Sequence, residues 1–271
     1  MGSPTTTAGI LGAVGGLLCA CVAPSSSGPW RGRTGRFSPS AALKVLFLDF
    51  HAPEFPEPDV SRAGDLFLDS LVGARQAEIV NARDLPELRD ESTRTAFEGD
   101  RSPRLLGGHA RELGADVLIT GDVFRAGRNL VFTIDAIDPE GRLVDGAGGK
   151  AGGDWSSLEA ALRQAGGDVM RPLPRVEGPP SAGDAARVLA ARSGLLDRCY
   201  AVALKRVPNL IGRGILSVSL GSAAEPAEVK ISSSSFNDGE FEGCLADAVR
   251  HLQFPILVGE TTLSYPVAYA E

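Results

Sequence analysis

A proline-rich interruption is the feature that most constrains this fold. Residues 172 to 183 read P-L-P-R-V-E-G-P-P-S-A-G. Proline fixes φ and has no backbone N–H, so this stretch cannot continue a helix or a central strand. On either side lie segments of about 130 and about 90 residues, both within the size range of a small domain. We therefore expect two folded units, residues 43–171 and 184–271, joined by a linker at 172–183.

The N-terminus has the pattern of an export signal. Residues 8 to 21 read A-G-I-L-G-A-V-G-G-L-L-C-A-C. This apolar run is shorter than the roughly 20 residues that span a bilayer, but it suits the hydrophobic region of a secretory signal. Leu18 to Cys21 resembles the lipobox of bacterial lipoproteins, which implies a signal peptide at 1–21 and lipidation of Cys21. Ordinary cleavage near Ala23 and an uncleaved anchor remain the alternatives, since residues 1 to 7 carry no lysine or arginine.

Residues 22–42 are predicted to be a flexible tether. They are rich in serine, glycine and proline, and about 20 such residues give a root-mean-square reach of roughly 25 Å. By the sorting rule of the better-known lipoproteins, Val22 after Cys21 favours the outer membrane. We therefore expect a periplasm-facing protein of the cell envelope, attached to the outer membrane by its lipid anchor.

Composition argues against nucleic-acid and metal binding. Acidic residues outnumber basic ones by 34 to 27 and give a net charge of −7, which disfavours a surface that binds phosphates. The three histidines are scattered and no C-x-x-C pair is present, so we predict no metal and no cofactor. Asp116, Asp122 and Asp135 allow a metal site in principle, but on alternating strands they are expected to be exposed or close to turns.

The first unit is predicted to be an α/β (α+β) domain with a mixed sheet, an antiparallel meander and flanking helices. The apolar run Lys44–Phe50 is typical of a strand covered on both faces. The segments Asp116–Phe124 and Leu130–Asp138 form a predicted hairpin, and Asp138–Gly141 has the residues of a type I turn. The remaining predicted elements are helices at 63–74, 104–114 (ended by Gly114) and 155–170, and strands at 78–81 and 143–148.

Three segments of this unit resemble the TolB amino-terminal and curli-secretion lipoprotein type of domain. They are Val45–Phe50, Gly114–Val123 and Ile134–Gly141. The resemblance implies contacts between periplasmic proteins rather than catalysis. Multimeric secretion members of the family also raise the possibility of a pore subunit.

The second unit is predicted to follow an α-β-β-α-β order. The pattern indicates a helix at 185–206 and alternating strands at 216–220 and 229–231. A helix at 241–252 has apolar residues at helical spacing. The last strand, Leu263–Tyr269, contains Pro266, which cannot donate to a ladder and therefore favours an edge position.

This order and several local motifs resemble the carboxy-terminal domain of TonB, in the version found on bacterial gliding-motility proteins. The matching segments are Cys199-Tyr200, Pro208–Gly212, Ser232–Ser235, Phe254-Pro255 and Tyr265–Val267, with Cys244 in the second helix. The resemblance implies a docking module for another protein. No transmembrane stalk precedes it, so the energy-transducing role of TonB is not implied.

Cys199 and Cys244 both fall on apolar helical faces. In an exported chain, two such cysteines on packed helices are expected to form a disulfide, although a buried free thiol behaves as a small apolar side chain and is the alternative.

No motif for catalysis is present. The sequence contains no G-x-S-x-G, no phosphate loop and no H-E-x-x-H, so no catalytic residue is predicted. The serine run 232–235 is expected to hydrogen-bond to the loop backbone, and Asn237 or Asp238 is expected to cap the next helix.

The resulting hypothesis is a non-enzymatic envelope lipoprotein that acts as a scaffold or adaptor for envelope proteins, for example in a motility or transport complex. The alternative is a lipoprotein regulator of a cell-wall synthase or a component of a secretion pore.

Overall fold

A computed structural model describes residues 43–74, 77–85, 101–171 and 180–270. Within these ranges the chain forms two β-sheets with helices packed against them. The mixed α+β class and the presence of two sheets confirm the fold predicted from the sequence. The predicted signal peptide with Cys21, the tether and most of the proline-rich linker lie outside the described residues.

The first sheet has the strand order β2-β1-β3-β4-β5. Strand β1 pairs in parallel with β2 and β3, and the β3-β4-β5 meander is antiparallel. The strands are β1 (Leu43–Phe47), β2 (Ala77–Asn81), β3 (Val117–Ala126), β4 (Asn129–Ile137) and β5 (Leu143–Ala151).

Helices cover both faces of this sheet because its strands carry apolar residues on both sides. Helices α1 (Glu57–Ala74) and α3 (Trp155–Asp168) pack on the face that contains Phe47 and Ile119. Helix α2 (Pro103–Glu112) packs on the opposite face, against Leu46 and Leu118.

Two predicted chain reversals have the expected local geometry. Gly114 follows α2 with φ +64°, the left-handed conformation that favours glycine after a helix. In the turn after β4, the Gly141 N–H donates to the Asp138 carbonyl at 2.9 Å. The Asp138 carboxylate also accepts from the Glu140 and Arg142 N–H groups, at 3.0 and 2.9 Å, which fixes the turn.

The second sheet is antiparallel throughout, with the order β7-β6-β8. Its strands are β6 (Gly212–Leu220), β7 (Glu228–Ser232) and β8 (Thr261–Tyr269). Three helices contribute to the core on its inner face: α4 (Ala182–Ala191), α5 (Ser193–Leu204) and α6 (Gly239–Arg250). Strand β8 lies at an edge, as Pro266 predicted.

The single helix predicted at 185–206 is two helices, and that prediction was wrong. The chain breaks at Arg192, which has φ −115° and ψ 16°. Its guanidinium donates to the Arg171 carbonyl at 2.7 Å and lies 3.3 Å from the Asp145 carboxylate. The one local signal is the dipeptide Ser193-Gly194 directly after the break. The Arg192 side chain is held by residues of the first half, and the apolar periodicity of residues 185–206 does not indicate those contacts.

Helix α5 lies between the two sheets. Its residues share one apolar core with Ala126 and Val131 of the first sheet and with Leu216 and Val267 of the second. Glycines make this close packing possible. A Cβ on Gly148 of β5 would lie 2.6 Å from the Arg198 Cα, and one on Gly194 of α5 would lie 2.6 Å from the Gly146 carbonyl oxygen. The two halves are therefore in direct, tightly packed contact.

Candidate docking surfaces

The outer side of β8 is an open sheet edge. Strand β8 pairs with β6 from Gly212↔Tyr269 to Leu220↔Thr261 without a break in register, and it has no second strand neighbour in the described part of the chain. A proline fits a paired strand when its nitrogen lies on the unpaired side. The Pro266 nitrogen therefore faces away from β6. Because the direction of the backbone N–H alternates along a strand, the N–H groups of Thr262, Ser264 and Ala268 also face away from β6.

Small side chains cover the outer face of the same sheet. Ser217 and Ser219 of β6 lie beside Ser264 and Thr262 of β8, and the Ser219 and Thr262 hydroxyl oxygens are 3.4 Å apart. Ile215, which is 39 % exposed and pairs with Pro266, adds an apolar spot. A partner strand added at β8 would thus meet short side chains on this face.

Aromatic packing fixes the end of β8 from the inner side. The Tyr269 and Tyr200 rings are stacked with centroids 4.0 Å apart, and Phe241 contacts Tyr269 edge-on at 5.8 Å. The Tyr200 hydroxyl donates to the Leu210 carbonyl at 2.9 Å. These contacts attach the edge strand to α5 and α6, so the edge is a rigid feature.

The Tyr269 hydroxyl donates a hydrogen bond to the Asp197 carboxylate at 3.1 Å. Burial raises the pKa of the Asp197 carboxyl, the negative charge of Asp168 adds to the effect, and the Tyr269 bond opposes it. Burial, followed by the nearby Asp197 charge, raises the pKa of Tyr269 as well. This contact joins β8 to α5 and was not predicted from the sequence.

Cys199 and Cys244 form a disulfide that joins α5 to α6, with their Cα atoms 5.8 Å apart. Cys199 is buried and Cys244 is half-buried. In the chain-entropy model, a loop of 45 residues corresponds to a stabilisation of about 4 kcal/mol. The bond therefore holds together the helices that support the second sheet.

The three aspartates that the sequence analysis considered for metal binding have structural contacts instead. Asp135 on β4 pairs with Arg198 through two hydrogen bonds, and the Nη2–Oδ2 distance is 2.8 Å. Asp122 on β3 pairs with Lys205 at 2.9 Å, and Asp116 accepts the Lys44 N–H at 2.9 Å. Across the described ranges, no group of three or more His, Cys, Asp or Glu is placed to hold a metal ion.

Arg198 and Lys205 were not predicted as functional residues, although a signal exists. They are seven residues apart, the first on α5 and the second at its C-terminal cap, and therefore lie on the same side of the helix. This spacing places both cations toward Asp135 and Asp122 on neighbouring strands. Two basic residues seven positions apart in the second unit, matched to two acidic residues on inner strands of the first, indicate an interface.

The serine run and the helix cap have the roles that the sequence predicted. The Ser235 hydroxyl accepts the Arg213 N–H at 3.0 Å, and the Ser234 hydroxyl accepts the Phe236 N–H at 3.2 Å. Asp238 caps α6 by accepting the Glu240 and Phe241 N–H groups at 3.1 and 3.0 Å. The bond from the Phe241 N–H is the main cause of a lowered pKa of the Asp238 carboxyl.

None of the helices in the described ranges has the length and apolar character needed to cross a bilayer.

Comparisons with known proteins leave the family of this chain open. No family model matches the sequence, and no curated protein matches it. Similar solved structures include a PelC dodecamer from Paraburkholderia phytofirmans, which is 17% identical, covers 50% of this chain and 90% of that chain, and has a TM-score of 0.33.

Two further similar structures come from other bacteria. The LpoB C-terminal domain from Salmonella enterica is 13% identical over 42% of this chain and 87% of that chain, with a TM-score of 0.31. Lipoprotein GNA1162 from Neisseria meningitidis is 16% identical over 45% of this chain and 94% of that chain, with a TM-score of 0.32. At these TM-scores the similarities assign neither a family nor a function to this chain.

Proposed function

We propose that this protein is a non-enzymatic lipoprotein of the bacterial cell envelope that acts as a scaffold or adaptor. It is anchored through Cys21, faces the periplasm from the outer membrane, and docks another envelope protein through its second, TonB-like half. The open edge of β8 is the single observation that carries the docking role.

An exposed strand edge binds an extended partner segment through main-chain hydrogen bonds. On β8 the outward N–H groups of Thr262, Ser264 and Ala268 are available for this, in the register that Pro266 sets. Pro266 has no backbone N–H, so a partner strand would lack one hydrogen-bond donor opposite it. The missing hydrogen bond limits which partner strands can pair with β8 and disfavours unspecific pairing.

The support behind the edge favours binding. The stacked Tyr200 and Tyr269 rings and the Cys199–Cys244 disulfide hold β8, α5 and α6 in one arrangement. A preorganised surface loses little conformational entropy when it binds a partner. A disulfide also suits an oxidising compartment such as the periplasm, in agreement with the export signal expected at residues 1–21.

Cross-linking in cells tests the proposal. A photoreactive amino acid is introduced at Ser264, on the β8 edge, and in a matched protein at Asp247, an exposed position on α6. We expect illumination to give an adduct with an envelope protein from position 264 and none from position 247. Equal adducts from both positions, or none from position 264 in membranes where the protein is present, would contradict docking at β8.

The same adduct separates the adaptor role from the alternative. A captured cell-wall synthase or secretion-pore subunit would identify the protein as a regulator or component of that machine. Deleting one half is not a clean way to make this distinction, since α5 is packed against both sheets and its loss would expose the core of the first.

A further inference from the structure

A cleft with a volume of about 320 Å³ runs along β5, between the first sheet and the junction of α4 and α5. Its floor is the strand from Asp145 to Lys150. One wall comes from the end of α3, with Gln164 and Asp168, and the other comes from the α4–α5 junction, with Ser193 and Asp197. Because α3 and α5 pack on opposite faces of the sheet, a cleft that touches both must lie around the sheet's edge.

The β5 side of this edge is unpaired. Strand β5 is the last strand of the five-stranded sheet, and β4 is its one strand neighbour within the residues that the structure describes. Residues 145–147 are buried and residues 148–150 are half-buried. Backbone N–H and C=O groups in such a sheltered place need hydrogen-bonding partners. The Gly146 N–H already donates to the Asp145 carboxylate at 2.9 Å, so an added strand would pair with residues 148–150, which span about 10 Å.

The centre of the edge carries no guard against strand pairing. Residues 147–149 are Ala-Gly-Gly, so none of their side chains is longer than a methyl group. At Gly146, by contrast, the Asp145 carboxylate accepts the N–H and Gly194 of α5 lies against the carbonyl. Proteins usually protect an edge with proline or charge, as β8 does with Pro266 and β7 with Lys230. The walls of the cleft are also built from small residues, including Ala161, Ala165, Ala190, Ala191 and Gly194. The space beside β5 is thus open to an extended chain.

The charges in the cleft favour a basic side chain at one place. Asp145 is paired with Arg192 at 3.3 Å, and Asp168 is paired with Arg171. The Lys150 ammonium also lines the cleft and donates to the Ala270 carbonyl at 3.2 Å. Asp197 accepts its hydrogen bond from a neutral group, the Tyr269 hydroxyl. A cation brought next to Asp197 would therefore meet a carboxylate whose charge that hydroxyl does not neutralise.

We propose that β5 is a second docking strand, which pairs inside this cleft with an extended segment of a partner protein whose lysine or arginine faces Asp197. The site belongs to the other sheet from β8, so it can be correct whether or not the β8 edge binds a partner. Together the two edges would let one molecule bind two proteins at once.

Peptide selection on the purified full chain tests this site. A random heptapeptide display library is selected on the protein, the most enriched peptide is synthesised, and its affinity is measured by fluorescence anisotropy. We expect enriched peptides to be free of proline at their centre and to carry lysine or arginine. Hydrogen exchange should slow at residues 148–150 when the peptide binds.

Three variants show whether the peptide binds in the cleft beside β5. Ala191→Trp fills the cleft and should weaken binding at least about tenfold, since the peptide loses its place along β5. Asp197→Asn keeps the size of the side chain and removes its charge, and should weaken binding about two- to fivefold, as expected for a partly exposed ion pair. Asp247→Asn, a charge change on exposed α6, should leave affinity unchanged.

Several results would overturn the proposal. One is a selection without any peptide whose binding depends on Ala191 or Asp197; another is slowed exchange at β7 or β8 in place of β5. Light scattering that shows a dimer dissociated by Ala191→Trp would assign the edge to self-association instead. If Ala191→Trp fails to fold, as judged by circular dichroism, the Asp197→Asn affinity and the exchange pattern still decide.

Discussion

Arg198 of α5 binds the carboxylate of Asp135 on β4, and this pair connects a helix of the second half to the sheet of the first. Both side chains are largely removed from water, with 22% and 19% of their surface exposed. Lys205, which directly follows the last residue of α5, makes the parallel contact with Asp122 and lies 4.7 Å from the centre of the Phe124 ring. The two halves are therefore joined by matched charges as well as by a shared apolar core.

We predict that Asp135→Asn destabilises the protein by about 2 kcal/mol. Removing one partner of a fully buried pair costs about 3–5 kcal/mol because the other charge is left uncompensated, and the residual exposure of Arg198 lowers that figure. Urea unfolding monitored by circular dichroism measures the change. The double variant Asp135→Asn/Arg198→Met should recover part of the loss. If the two single changes simply add, the residues are not coupled as the structure shows.

The packing of α5 against β5 gives a second prediction, at Gly148. An alanine Cβ there would lie 2.6 Å from the Arg198 Cα and 2.8 Å from the Asp197 carbonyl oxygen. Both are main-chain atoms, so the helix must move, and we expect Gly148→Ala to cost about 2–3 kcal/mol.

Gly243 is the matched control for this change. It lies in α6 with nothing within 4 Å of an added Cβ, so Gly243→Ala should stabilise the protein by up to about 1 kcal/mol through helix propensity. Thermal melts of both variants test the pair of expectations. A Gly148→Ala protein as stable as the parent would mean that α5 does not approach β5 as closely as described.

Much of the fold could be predicted because it is written in local patterns. The meander from Val117 to Ala151 follows from alternating apolar residues and from the turn at Asp138–Gly141. The left-handed glycine at position 114 and the edge position of Pro266 follow from the chemistry of single residues.

What could not be predicted depends on contacts between distant parts of the chain. The break at Arg192 is held by Arg171 and Asp145, which no window around position 192 contains. Glycines in a strand interior weaken it, and the reason for those of β5 lies in the close approach of α5, which is distant in sequence. The Asp197–Tyr269 contact joins residues 72 positions apart, so neither periodicity nor spacing could indicate it.

Asp197 gives a third prediction, which concerns pH. Burial raises the pKa of its carboxyl in the folded protein, so the folded state binds the proton more tightly than the unfolded chain, whose aspartates have a pKa near 3.9. Between the unfolded and the folded pKa the native state holds more protons, and the free energy of unfolding therefore falls as pH rises.

The ionised Asp197 carboxylate thus lowers the free energy of unfolding above its folded pKa, and this effect is absent below the unfolded pKa, where the group is protonated in both states. We expect Asp197→Asn to be more stable than the parent at pH 7, and the difference to shrink as pH falls toward 4. Urea titrations of both proteins at several pH values measure it. An Asp197→Asn protein that is less stable at pH 7 would show that the Tyr269 hydrogen bond outweighs the burial of the charge.

Pro266 gives a fourth prediction, about the β8 edge. Pro266→Thr would add an N–H to the unpaired side of β8, opposite the ladder to Ile215, and would complete the row of outward donors. A complete edge is a template for pairing with a second chain, so we expect concentration-dependent self-association, measured by light scattering after size exclusion. Ser264→Thr is the matched control, because it introduces the same residue two positions away without adding a donor. Self-association of both variants to the same extent would indicate an effect of the threonine side chain, and a monomeric Pro266→Thr protein would show that proline is not what keeps this edge unpaired.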